Sequence, residues 1–256
     1  MKVRILGCGP SNGVPSLSRG FGQTDSNNPK NIRTRSSALI TTNDGVNILI
    51  DTSPDVRQQL LKAKNPQIDA ILYTHCHYDH MSGANELTAC FLDKKDKLKI
   101  YLTETDFNQL KHQLNYLFQK NAAPFEINII EPYKPFKIKN TLITPIKQYH
   151  GDLISIGYRI ENLAYTTDLK SMDKEGFEIL KGIQTWILGV VSPNRRPEAK
   201  GIEKHIHLDE ALDWIKAINP QKTVITHMGQ RMDYESLCNA LPENIRPAYD
   251  GMEFED

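Results

Sequence analysis

At 256 residues the chain can bury a sizeable core within one layered domain, and 39% hydrophobic with 24% charged residues is the composition of an ordinary globular protein. Its 31 basic and 31 acidic side chains cancel, so the overall charge advertises neither nucleic acid nor an anionic membrane. No apolar run approaches membrane-spanning length, Met1 to Gly7 is too short and too charged for a signal peptide, and the four scattered cysteines lack CxxC spacing, so a cytoplasmic protein with reduced thiols and no membrane partner is expected.

Val3–Leu6 reads as the first strand. Gly7 to Ser37 then lacks any sustained period and is rich in Gly, Pro, Ser and Asn, which marks a long loop of the kind that usually serves function. It closes on Arg33-Thr34-Arg35-Ser36-Ser37. The two guanidinium groups suit a substrate phosphate; internal ion pairs that pin the loop account for them equally well. Ser37–Thr42 and Val46–Ile50 flank Asn43-Asp44-Gly45, a hairpin signal. Asp51 stands at the end of the second of these strands, ahead of a helix over Val56–Lys64, where a turn-forming or capping carboxylate would also be at home.

Ala70–Tyr73 is a short apolar run introduced by Asn65-Pro66, and it reads as a buried strand. Behind it comes Thr74-His75-Cys76-His77-Tyr78-Asp79-His80, then a turn into a helix that continues through Leu87. Four metal-ligating side chains fall within six residues, between two hydrogen-bonded elements that hold them rigidly. Imidazole and carboxylate together suit zinc, manganese or iron. Three of the eight histidines of the chain lie in this one hexad, which sets it apart from scattered surface or core residues. Cys76, between two ligands, reads as a small filler.

Strand and helix then alternate: Lys99–Leu102 before a helix over Thr105–Leu117, in which His112 is exposed, strands at Glu126–Ile130, Thr141–Pro145, Ile154–Ile160 and Leu163–Thr166, a helix over Met172–Leu180, and an apolar run at Thr185–Val190. The loop Ser192-Pro193-Asn194-Arg195-Arg196-Pro197 follows, its two arginines read as solvated, with added charge near a substrate as their other use. Leu208, Ala211, Leu212, Trp214, Ile215 and Ile218 have helical spacing ended by Asn219-Pro220, so His205 sits just ahead of a helix N-terminus and His207 nearer its cap. Tyr234–Leu241 is a last short helix. With no repeat, low-complexity tract or linker in the sequence, residues 1–256 read as a single domain.

His75-x-His77-x-Asp79-His80 resembles the signature of the metallo-β-lactamase-fold hydrolases. Members of that fold carry a further His, a bridging Asp and a late His, each at a strand end, and this chain offers His150 in Gln148–Gly151, Asp168 in Ala164–Asp168 and His227 in Val224–Met228. The resemblance covers most of the chain. It implies an α/β fold, an αββα sandwich of two mixed β-sheets flanked by helices, in which His75, His77 and His150 hold one divalent metal, Asp79, His80 and His227 a second, and Asp168 bridges them. Within the fold the chain is similar to the subgroup of the phosphoribosyl cyclic phosphate phosphodiesterase of phosphonate breakdown, through Arg33–Ser37, Asp51–Asp55 and Pro247–Gly251. In that setting Asp51 can accept a hydrogen bond from a metal-bound His and fix its tautomer. Members of the subgroup often carry a Cys cluster for a structural zinc in the first loop; Gly20–Asp25 has no Cys, so no structural zinc is expected. His205 resembles the extra His that phosphodiesterase members carry beside the metals.

The resemblance implies that two cations share a water and lower its pKa, so that hydroxide can attack a phosphorus held between them. Asp79 then belongs to the catalytic set, and His205 assists as general acid or as donor to a phosphoryl oxygen. A phosphodiesterase acting on a small cyclic or linear phosphodiester with two zinc or manganese ions, iron being a further option, is the expected activity. RNA processing of the tRNA 3′-end endonuclease type is the alternative that brings a nucleic-acid partner, and the sequence shows no basic, Gly-rich arm to hold one. A thioesterase or lactamase leaves His205 unexplained, and a non-catalytic binding module would have to bear the cost of converging buried His and Asp without metal. A homodimer is expected by analogy with the fold.

Overall fold

The computed structural model describes residues 1–90, 97–118, 124–195 and 203–256. Two mixed sheets face each other. In the first, β1 (Lys2–Gly7), β2 (Ser37–Thr41) and β3 (Asn47–Ile50) pair antiparallel, and β4 (Ala70–Leu72), β5 (Leu98–Leu102) and β6 (Phe125–Ile129) continue parallel from β3. In the second, β7 (Phe136–Ile138), β8 (Thr141–His150), β9 (Leu153–Ile160) and β10 (Leu163–Thr166) pair antiparallel before β11 (Thr185–Gly189), β12 (Lys222–Thr226) and β13 (Ile245–Pro247) run parallel. The last strand, β14 (Glu253–Glu255), returns to the first sheet antiparallel to β1. Read from β14 to β6 and from β7 to β13, the two sheets share one succession of antiparallel and then parallel pairings.

Side-chain alternation explains the layers. On β2, β3 and β4, Ala38, Ile40, Ile48, Ile50, Ala70 and Leu72 face the second sheet and join its Ile143, Ile156 and Tyr158 in one core. Their neighbours Leu39, Leu49 and Ile71 point the opposite way, into a second core with Val56 and Leu60 of α1 (Val56–Lys62), Met81 of α2 (Tyr78–Met81) and Leu110 of α3 (Glu104–Gln113). A strand buried on both faces reads as a continuous apolar run, which is why β4 was visible in the sequence. On the second sheet lie α4 (Lys174–Leu180), α5 (Leu208–Ile218) and α6 (Tyr234–Ala240), with Ala211, Ile215 and Leu237 in the same core as Trp186 and Leu188. No helix among the described residues is long and apolar enough to cross a membrane.

Several boundaries differ from expectation for local reasons. α1 stops at Lys62 because Lys64 and Asn65 take φ of 62° and 49°. β8 runs on through Pro145 to His150: β7 pairs only with 141–143, so at Pro145 this flank of the strand has no ladder for a missing N–H to break. The short edge strands β7, β13 and β14 carry no periodic signal. The first loop holds a 3₁₀ turn at Pro29–Asn31 and isolated bridges Gly9–Arg35 and Val14–Arg33.

The sheets are stitched together beside the end of β4. Tyr158 Oη donates to the Tyr73 carbonyl at 2.5 Å, and the Ile156 N–H donates to the Thr74 carbonyl at 2.8 Å. Tyr158→Phe leaves that carbonyl without its donor at constant packing, and is expected to lower stability by about 1 kcal/mol in urea unfolding.

Candidate metal centre

Every residue of the ligand set stands at or just beyond a strand end on one rim of the sandwich. His75 and His77 follow β4, Asp79 and His80 lie in α2, His150 ends β8, Asp168 follows β10 and His227 follows β12. Two approaches of backbone to backbone bring these ends together. A Cβ on Gly83 would lie 2.1 Å from the Ser53 carbonyl oxygen, so only glycine lets α2 sit against the turn after β3. The Thr52 N–H then donates to the His80 carbonyl at 2.7 Å. Asp168 and His227 take φ of 54° and 57°, and Asp51 takes 61°, so the chain turns sharply at each point. Left-handed backbone is uncommon outside glycine, and such strain gathers at functional sites.

The side chains form two triads joined by one carboxylate. His75, His77 and His150 have ligand atoms within 4.8 Å of one another, as do Asp79, His80 and His227. Asp168 lies between them: Oδ2 is 3.1 Å from His80 Nε2 and 3.3 Å from His227 Nε2, while Oδ1 is 3.8 Å from His150 Nε2. His75 Nε2 and His77 Nδ1 stand 2.8 Å apart. The Nε2 atoms of His80 and His227 are buried without a well-aligned hydrogen-bond partner. Buried imidazole nitrogens without partners, converging with carboxylate oxygens, fit divalent cations.

Supporting contacts fix which nitrogen of each ring faces inward. Asp51 is fully buried; its Oδ2 is 2.7 Å from His80 Nδ1, and it accepts from the Thr74 N–H and hydroxyl, both at 2.8 Å. The Thr74 oxygen, its proton given to Asp51, lies 3.0 Å from His75 Nδ1. His150 Nδ1 is 2.7 Å from the Lys204 carbonyl. Each contact holds a proton on the outer nitrogen and leaves Nε2 to the centre. Thr74 and the Lys204 carbonyl were not foreseen; a threonine directly before His75 is the only sequence signal for either.

Burial lowers the pKa of His75, His77 and His150 and holds His205 down to about 3. Burial also pushes Asp168 and Asp79 up, but the His227 and His80 rings outweigh it and hold both well below the usual carboxylate range. His80 goes the other way: burial lowers it, and Asp168 and Asp51 together raise it. Neutral His75, His77 and His150 and ionised Asp79 and Asp168 are the forms in which such groups bind a metal, whereas a metal at His80 would have to displace a proton.

His205 Nδ1 lies 3.6 Å from Asp168 Oδ1, with its ring 4.7 Å from that of His150 and 5.1 Å from that of His227. The other candidates lie elsewhere. Arg33 is 1% exposed and donates to the Met228, Gly229 and Met232 carbonyls, so it ties the first loop to the segment after His227 and cannot reach a substrate. Arg35 pairs with Asp55 at 3.0 Å. The phosphate-binding use of these two arginines is thus corrected to pinning of the loop. Arg195 pairs with Glu203 at 3.0 Å, and Arg196 falls outside the described residues. His207 caps α5, its N–H donating to Glu210 at 3.3 Å. Cys76 is buried and His112 exposed.

A family model described as beta-lactamase superfamily domain matches residues 46–228. An octanoyltransferase of Porphyromonas gingivalis (strain ATCC BAA-308 / W83) is 32% identical over 260 residues, which is 99% of this chain and 51% of the relative. The chain thus spans about half the length of the curated relative it matches. Among solved structures, a diphosphatase from the PhnP family superposes with a TM-score of 0.90 at 28% identity, over 100% of this chain and 97% of the other. Zn²⁺-bound PqqB from Methylobacterium extorquens gives 0.81 at 16% identity, over 100% of both chains. The short form of human tRNase Z gives 0.74 at 17%, over 100% and 99%. The last two likenesses are of fold alone.

Asp168→Ala removes the one carboxylate that faces both triads and is expected to lose bound metal; two metals retained per chain by elemental analysis would refute its bridging place. Asp51→Asn leaves all seven ligands present and is expected to weaken metal about 10- to 100-fold in chelator competition, the scale of a lost orienting contact.

Proposed function

This chain belongs to the beta-lactamase superfamily and is a metal-dependent hydrolase, and on that premise we propose a two-metal phosphodiesterase acting on a small cyclic or linear phosphodiester. The observation that carries the reading is His205. Its side chain is 24% exposed, whereas those of His80, His150 and His227 are at most 2% exposed. It lines a cavity of about 320 Å³ with His227, Ser11, Asn12, Arg19 and Arg231. A reachable imidazole that shares its cavity with two arginines, at the edge of the ligand cluster, suits an anionic group and has no evident use at a neutral lactam ring. The likeness to a PhnP-family diphosphatase supports hydrolysis at phosphorus.

When bound, two divalent cations supply an activated water and offset the charge that grows on the phosphoryl oxygens. The rest is done by side chains. Asp168 presents one oxygen to each triad and sets their spacing, with Asp79 completing the second. Asp51, Thr74 and the Lys204 carbonyl engage the outer nitrogens of His80, His75 and His150 and so turn their inner nitrogens toward the centre. His205, free of any such duty, donates its ring N–H to the leaving or phosphoryl oxygen. Arg231 is held by Asn194, its two terminal nitrogens 2.9 and 2.7 Å from the carbonyl and side-chain oxygens, and adds fixed positive charge.

A second reading, hydrolysis of an acyl ester or thioester, draws on the octanoyltransferase relative, whose name belongs to a chain about twice as long as the matched stretch. Metal-stripped protein reconstituted in turn with zinc and manganese is expected to hydrolyse bis(p-nitrophenyl) phosphate; turnover of p-nitrophenyl octanoate or a β-lactam instead would move it to that reading. Two metals per chain are expected, and a third, structural zinc would overturn the expectation drawn from the absence of Cys in Gly20–Asp25. His205→Ala is expected to keep both metals and lose diester turnover by about 100-fold or more, the scale of one lost hydrogen-bond donor to the developing oxyanion; unchanged turnover would remove it from the mechanism.

A further inference from the structure

A second and larger cavity, of about 560 Å³, opens on the ligand cluster at His75 and Cys76, whereas the cavity with Arg19 and Arg231 opens at His205 and His227. Its volume falls within the range of about 300–1,000 Å³ common for small-molecule sites. Its walls are Pro132 and Tyr133, the β8–β9 hairpin with Leu153 and Ile154, and the start of α3. Leu153 and Ile154 are 37% and 39% exposed, two consecutive large apolar side chains left in solvent on the lip of one cavity. The Tyr133 ring is fixed, its hydroxyl donating to Asp173 at 2.7 Å. Two of the polar groups that line it satisfy each other: the Thr103 hydroxyl donates to Asp106 Oδ2 at 2.5 Å and accepts from the Asp106 N–H at 3.2 Å, while Lys147 and Asp152 add one charge of each sign. Lys147 extends over the Tyr149 ring at 5.1 Å. What such a cavity chiefly offers a ligand is apolar surface, continuous with the centre on the side where His75 stands.

Resting on the phosphodiesterase reading, we infer that the substrate is asymmetric, with the ester arm that is not expelled carrying an uncharged apolar group seated against Tyr133, Leu153 and Ile154. The expelled arm lies toward His205 and the two arginines. A group that buries apolar area there gains binding in proportion to its length, and the opposite charges of Lys147 and Asp152 favour neither sign of charge in the arm. Water oxygen adds to phosphorus and the P–O bond to the expelled arm breaks, so the apolar arm leaves as its monoester.

The test is a series of methyl, butyl and octyl p-nitrophenyl phosphates with the metal-loaded protein, in which p-nitrophenolate is the constant leaving group. From methyl to octyl, kcat/KM is expected to rise about tenfold or more, mainly through KM. Leu153→Asp with Ile154→Asp, at two partly exposed positions that folding tolerates, is expected to bring the octyl-to-methyl ratio near one, while Leu153→Met keeps it; metal content and thermal melting verify that the variants are folded. A ratio near one in the unmutated protein overturns the inference, and so does a high ratio that the Asp pair leaves untouched. Titration calorimetry with octylphosphonate against methylphosphonate reads the same preference without turnover. Loss of all diester hydrolysis therefore sinks the phosphodiesterase reading alone, and equal binding of the two phosphonates sinks this one.

Discussion

Three carboxylates lie within one buried cluster, and the structure around them follows from the need to balance their charge. Asp51, Asp79 and Asp168 are 0%, 6% and 2% exposed, and among the described residues no lysine or arginine pairs with any of them. Burying an uncompensated carboxylate costs several kcal/mol or more. Only the His80 ring has its protonated form favoured, against Asp168 and Asp51 together. Burial favours the neutral form of His75, His77 and His150. A cluster of acceptors with so little positive charge of its own is complementary to cations, and a folded chain would not keep it otherwise.

Bringing these groups to one point is a task for the sheets. Strands end on one rim, and the residue after the end is free to leave extended geometry. Asp51 follows β3 and Asp168 comes two residues after β10, and these are the strands at which each sheet changes from antiparallel to parallel pairing. The two halves thus place a carboxylate at equivalent points: one holds the outer nitrogen of His80, and the other faces its inner nitrogen at 3.1 Å. The correspondence lies in backbone pairing, which any apolar residues can satisfy, so it leaves no repeat in the sequence. The first loop then locks the arrangement: Arg33 fills the carbonyls of the segment that follows His227, and the Met228 N–H donates to the Cys8 carbonyl at 2.8 Å.

Much of the centre was legible because its ligands are chemically rare residues at strand ends. The hexad from His75 to His80 is dense enough to stand out, Asp168 and His227 each follow an apolar run that burial on two faces had made visible, and His150 ends a strand that alternates between buried and more exposed positions. The sandwich was legible for the same reason, since β2, β3 and β4 alternate between two cores. What could not be read depends on distance across the fold. Thr74 acts through Asp51, 23 residues earlier, and the Lys204 carbonyl acts on His150, 54 residues before it. A carbonyl has no residue type to betray it. Arg33 and Arg35 suit phosphate by their chemistry, and only their burial and partners assign them to the loop. Edge strands such as β13 and β14 are three residues each, below the length at which a period of two can be recognised.

The same division separates reaction from substrate. The ligand set sits on strand ends and a helix start that hydrogen bonds hold in place, so it specifies a class of chemistry and little about the molecule transformed. Selection falls to side chains from segments with no common signature: Arg19 and Arg231 on one flank, Tyr133, Leu153 and Ile154 on the other. Each can change without disturbing a ligand, because none of them contributes a hydrogen bond to the ligand set. Proteins with different names, a diphosphatase, a tRNase Z and PqqB among them, can therefore share this fold over its full length. The asymmetry between a cationic flank at His205 and an apolar flank at His75 belongs to this chain's own side chains. A symmetric small diester would use only half of what that asymmetry provides, which makes an amphipathic substrate the better match to the site.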